Sequence, residues 1–96
     1  MGTWKKGRLL KGLASSFELP EDVILDLARI TIVGDREIFI ENHQGILAYG
    51  PDRIRIRVKR GEIIITGERL KIDSLLATEL VAIGRIEGVQ FDRQRE

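Results

Sequence analysis

Cysteine is missing from all 96 residues, which rules out a disulfide framework, a thiolate zinc site and thiol redox chemistry, and fits a reducing compartment. Histidine is almost missing. His43 stands alone, so neither an HExxH motif nor a dyad needing a second imidazole can form, and its Asn-His-Gln-Gly setting marks it as a turn residue rather than a ligand or base. Aromatic residues make up 5% of the chain, and Trp4, Phe17, Phe39, Tyr49 and Phe91 are too scattered to form a platform for stacking bases. No apolar run approaches the roughly 18 residues that cross a bilayer, and the stretch Met1 to Phe17 lacks a signal-peptide core, so a soluble, unexported, cytoplasmic chain is expected. Gly-rich phosphate loops and nucleophile elbows are absent as well, and Glu37 and Glu41 on one strand would lie about 13 Å apart, too far for an acid/base pair. No enzyme, cofactor or metal site is expected.

What is present is β-branched and alternating. With 43% hydrophobic and few aromatic residues, the core must be built from Ile, Leu and Val, which pack well on a pleated surface. Short apolar alternations recur between turn signals: Ile38 and Ile40; Ile46 to Tyr49; Ile54, Ile56 and Val58; Ile63 to Ile65; Leu70 and Ile72; Leu80 to Ile83; Arg85 to Phe91. The stretch Arg36 to Gly50 reads as a hairpin, with Asn42 and Gly45 tolerating the left-handed backbone of a short connection. Gly50-Pro51 and Arg60-Gly61 mark further turns, and Gly84 and Gly88 suggest a bulge or tight bend in the last strand region. The sum is an all-β domain of about seven or eight short strands, expected as a small antiparallel β-sandwich with an Ig-like arrangement among the candidates. Residues 19–91 form this domain. Residues 92–96 read as a charged frayed end, and residues 1–18 as a basic amphipathic tail set off by Pro20.

The charge is divided along the chain. Lys5, Lys6, Arg8 and Lys11 meet no acid in the first 17 residues, leaving twelve of the sixteen bases against all fifteen acids in the rest. Trp4, Leu9 and Leu13 lie among those cations as a candidate interaction face, for a partner or for peripheral contact with a membrane, although Gly7 and Gly12 weaken any helix there by about 1 kcal/mol each. In the domain, Arg53, Arg55, Arg57 and Lys59 share one strand side and form a candidate polyanion face. A solvated strand face balanced by nearby glutamates is the plainer and preferred reading, so nucleic acid is not the expected partner. Phe39 must point away from Ile38 and Ile40, and Ile64 away from Ile63 and Ile65. Two large apolar side chains on outer faces would need a cover, from the tail, a second copy of the chain or a partner protein. Phe39→Ser is expected to cost no more than about 1 kcal/mol in the isolated domain.

Set in order, Leu19-Pro20-Glu21-Asp22-Val23, Leu25-Asp26-Leu27, Arg29-Ile30-Thr31, Gly34, Ile40-Glu41-Asn42, Gly45-Ile46, Gly61, Ile65-Thr66-Gly67, Leu70, Ile86 and Phe91 resemble the YqfC branch of the YabP/YqfC family of sporulation proteins. The resemblance covers about Phe17 to Phe91, and Ala28 departs from it where proline is common. It implies a small β-sandwich-like protein of endospore-forming bacteria. It further implies a non-enzymatic assembly, scaffold or adaptor factor, made in the mother cell for spore envelope formation, with a membrane protein of the sporulation programme as partner. It implies a cytoplasmic location, at the forespore outer membrane if peripheral. The rival class is a small polyanion-binding module using the basic strand face.

Overall fold

The computed structural model describes residues 27–93, so Trp4, Leu9, Leu13 and the rest of the tail lie outside the described residues. Among the described residues six strands follow one another: β1 (Arg29–Val33), β2 (Glu37–Glu41), β3 (Ile46–Tyr49), β4 (Arg53–Val58), β5 (Gly61–Leu75) and β6 (Glu79–Arg93). All pairings are antiparallel, in one sheet of order β1-β2-β6-β5-β4-β3. The all-β antiparallel class is as expected from the alternation. The count and the layering differ. What reads in the sequence as four short strands, around Ile63 to Ile65, Leu70 and Ile72, Leu80 to Ile83 and Arg85 to Phe91, is two strands of 15 residues each. β6 also continues through Asp92 and Arg93, which lie opposite Glu62 and Gly61, where the sequence suggests a frayed end.

Bulges explain why the long strands look broken in the sequence. The β5–β6 register shifts between Thr66 and Gly67, between Glu68 and Lys71, and between Ile72 and Ser74. Each shift resets the alternation and bends the pair. Gly67 and Gly84 are required at this bend: a Cβ on Gly67 would collide with the Arg85 carbonyl, and one on Gly84 would lie 2.7 Å from the Arg69 oxygen, at a backbone φ of +138°. Arg69 itself adopts φ +54° there.

The bend lets one continuous sheet close on a single core. β4 pairs with the first half of β5, and β2 pairs with the first half of β6. Ile38, Ile40, Leu80 and Ala82 from one half and Ile54, Ile56, Ile63 and Ile65 from the other, with Leu70, make one buried cluster. The two halves thus face each other as sandwich layers do, but the layers are joined through β5 and β6 rather than separate.

The expected hairpin is not one. β2 and β3 do not pair; β2 lies between β1 and β6, and β3 is the far edge of the sheet. Residues 42–45 cross from one half to the other, held by His43 N–H to the Thr78 carbonyl (3.0 Å), Gln44 N–H to the Arg57 carbonyl (2.8 Å) and Arg57 N–H to the Gly45 carbonyl (2.8 Å). The left-handed residues are the two that their chemistry marks, with Asn42 at φ +68° and Gly45 at +122°. The pairing differs because β6 supplies β2 with a longer apolar partner, and local turn chemistry cannot report a strand about 40 residues away.

Candidate functional site

β2 turns Ile38 and Ile40 fully into the core, so Phe39 faces outward, as alternation requires. It lies opposite Thr31 on β1 and Val81 on β6, and Val81 lies opposite Ser74 on β5. The outer row is therefore Thr31, Phe39, Val81, Ser74. The next row is Val33, Glu37, Ile83, Lys71. Phe39, Val81 and Ile83 are half-buried and Val33 is exposed, which makes an apolar strip on the solvent side of the sheet, with Glu37 set between Val33 and Ile83 and with Glu41 and Lys71 at its margins. An apolar centre with a charged rim is the composition of a docking patch. Phe39 is legible from the sequence and its neighbours are not. The unbroken apolar run Leu80 to Ile83 is the signal that both faces of β6 carry apolar side chains there.

Ile64, the other expected member, is elsewhere. It sits on the outer face of the opposite half, between Arg55 and Gln90, and is only 8% exposed. It therefore does not join Phe39 in a common patch. Arg55 lies directly across from it, and the guanidinium of Arg55 is held in place by Glu62, Nε to Oε1 at 2.5 Å and Nη2 to Oε2 at 2.9 Å. A bidentate clamp of this kind fixes the orientation of the guanidinium.

The same clamp decides what the basic stripe can do. Arg53, Arg55 and Arg57 do share the outer face of β4, opposite Thr66, Ile64 and Glu62, while Lys59 lies beyond the strand in the turn to β5. Arg53, Arg57 and Lys59 are exposed and Arg55 is half-buried. Glu62 accepts the Arg55 hydrogen bonds, and this holds its carboxyl below the usual range against the opposing effect of desolvation, with the Arg55, Arg53 and Arg57 charges adding to the lowering. Arg55 is raised in turn, by its hydrogen bond to Glu62 first, then by the Glu62 and Asp92 charges. Two carboxylates are thus woven into the stripe.

His43 is in the crossing loop but not in solvent. It is 4% exposed, its Nδ1 accepts the Gly45 N–H at 2.9 Å, and Nε2 is buried without a hydrogen-bond partner among the described residues. The accepted bond places the proton of the neutral ring on Nε2. At the end of the inner face, Leu27, Val58 and Phe91 line an open groove of about 1090 Å³, and Phe91 is 71% exposed although its cross-strand neighbour Ile63 is fully buried. Among the described residues no group of three or more His, Asp or Glu side chains is placed to hold a metal ion, and no helix is long and apolar enough to cross a membrane.

The sequence pattern of the YabP family matches residues 26–96, the whole of the described sheet. The chain belongs to this family. It is also 38% identical over 87 residues to the uncharacterized protein YqfC of Bacillus subtilis (strain 168), covering 91% of this chain and 94% of that one. Family membership makes this a sporulation-related protein. Four of the residues carrying the family resemblance have structural duties in this sheet: Asn42, Gly45 and Gly61 hold φ values of +68°, +122° and +154°, and Gly67 admits the Arg85 carbonyl. Phe39 is not among them.

Proposed function

We propose that this protein is a non-enzymatic assembly or adaptor factor for spore envelope formation. It acts in the cytoplasm of the mother cell and docks a membrane protein of the sporulation programme against the outer face around Phe39. The observation that carries this reading is the strip of Phe39, Val81, Ile83 and Val33, apolar side chains that the core does not use. The adaptor reading is further supported by His43, since the one imidazole of the chain is buried and engaged by Gly45 rather than presented to a substrate. A polyanion-binding role draws less support, because Arg55 is neutralised by Glu62 and the stripe has acids beside it.

Phe39→Ser tests the proposal. In a half-buried outer position it should cost about 1 kcal/mol, against about 2–5 kcal/mol for Ile40→Ala in the core. A photo-crosslinking residue at position 39 in sporulating cells should capture an integral membrane protein, and Phe39→Ser should abolish co-purification of that protein. Co-purification unchanged by Phe39→Ser, or capture of nucleic acid alone, would overturn it.

A further inference from the structure

Sheet edges are hazards that folded proteins normally guard with bulges, prolines, lysines or short length. The two edges of this sheet are treated differently. β3 is four residues long, carries a bulge between Ile46 and Ala48, runs into Gly50-Pro51, and ends on Tyr49, whose hydroxyl accepts the Ile72 N–H at 3.4 Å. β1 is short too, at five residues, but it has none of the other devices. Its register with β2 is unbroken from Arg29 to Val33, it contains neither proline nor lysine, and Ile32 and Val33 are 51% and 55% exposed. Among the described residues nothing pairs with its far side.

The core also stops in mid-row at this edge. Across the inner face, Ala82 and Ile38 are fully buried, and the next residue in line, Ile32, is half exposed. We propose that two copies of this chain pair edge to edge through β1, antiparallel about a two-fold axis at Thr31. The occupant is a second copy because the strand Arg-Ile-Thr-Ile-Val is complementary to itself in this register. Ile32 of one copy lies opposite Ile30 of the other on the inner face, which continues the interrupted row, and Thr31 meets Thr31 on the outer face, a favourable cross-strand pair. Arg29, the one charge on the strand, lies opposite exposed Val33 and can lay its aliphatic stem over it. Each copy presents the same surface, as a closed dimer requires. The pairing also brings the two outer rows together, Val81–Phe39–Thr31 continuing into Thr31–Phe39–Val81, which doubles the docking strip proposed above.

The chain's lack of cysteine gives a direct test. Opposed residues of an antiparallel pair have Cα atoms about 4.5–5.5 Å apart, inside the disulfide range. Full-length Thr31→Cys should therefore crosslink to dimer under mild oxidation, and Ala48→Cys on the exposed β3 edge should not. Sedimentation of the unaltered chain at micromolar concentration should give twice the chain mass. Ile32→Lys should weaken dimerisation at least about 30-fold, the effect of losing one central apolar contact, while keeping the thermal transition. A monomeric full chain, crosslinking of Ala48→Cys in place of Thr31→Cys, or a dimer indifferent to Ile32→Lys would each overturn the proposal. Should Ile32→Lys not fold, the Thr31→Cys result decides alone. All readings use the purified chain without a partner, so this proposal can fail while capture through Phe39 stands, and the reverse.

Discussion

At the scale of single residues, the Arg55–Glu62 pair shows why a row of like charges is a poor guide to function. Arg53, Arg55 and Arg57 are legible as one face from their spacing alone. The carboxylate that clamps the middle one is not, because Glu62 reaches it from the next strand, diagonally. The clamp has a pH signature. Since the folded-state carboxyl of Glu62 lies below its ordinary value of 4.5, the stability it contributes is fully present above that value and is lost as pH falls through the lower, folded-state one. Glu62→Gln should remove this part of the acid dependence: in melting curves taken from neutral pH into the acid range below that value, stability should fall less steeply in the variant than in the unaltered chain. Parallel slopes would show that the pair is not coupled to folding. Ile64 gives the complementary lesson. Alternation assigns its face correctly, but a face does not state how much of it is covered: Ile64 lies on the outer face and is still only 8% exposed.

At the scale of elements, the crossing loop 42–45 is where the sequence is most informative and most misleading. Its backbone conformation can be read from Asn42 and Gly45, since few residues accept positive φ. Its destination cannot. Two flanking apolar segments and a short polar link look alike whether the segments pair or part, and only the demand of β2 for β6 separates the cases. The same limit applies to β5 and β6, where bulges reset the period and make two long strands resemble four short ones. A measurement on His43 distinguishes a crossing from a hairpin. In a solvated hairpin tip His43→Ala would change stability by no more than about 0.5 kcal/mol. In the crossing observed, the substitution strands the Gly45 N–H and empties a buried site between two halves of the sheet, so a loss of about 2–3 kcal/mol is expected by denaturant unfolding. A near-neutral result would return the loop to the surface.

At the scale of the whole molecule, a single sheet with β5 and β6 at its centre has a definite order of opening. The two halves of the core are joined by this 15-residue pair, by the buried cluster it supports and by the crossing loop 42–45, so neither half can be released while β5 and β6 remain closed on each other. The edges are different. β1 and β3 are paired on one side, are short, and expose several of their side chains, conditions under which strands fray locally. Amides of Ile64, Ile65, Leu80 and Ala82 should therefore exchange with solvent only through global unfolding and share one free energy. Amides of Leu47 and Ala48 should exchange at least about tenfold faster, a difference of about 1.4 kcal/mol or more. The two edges then part company with concentration. Dilute enough to be monomeric, β1 should exchange as β3 does. As the concentration rises, protection should grow along β1 and stay unchanged along β3, since among the described residues β1 has an unpaired side and the β3 edge is closed by its bulge and by Gly50-Pro51. Two distinct global free energies, one reported by Ala82 and another by Ile64, would mean that the halves unfold separately and that the bent β5–β6 pair is a hinge between them rather than a spine.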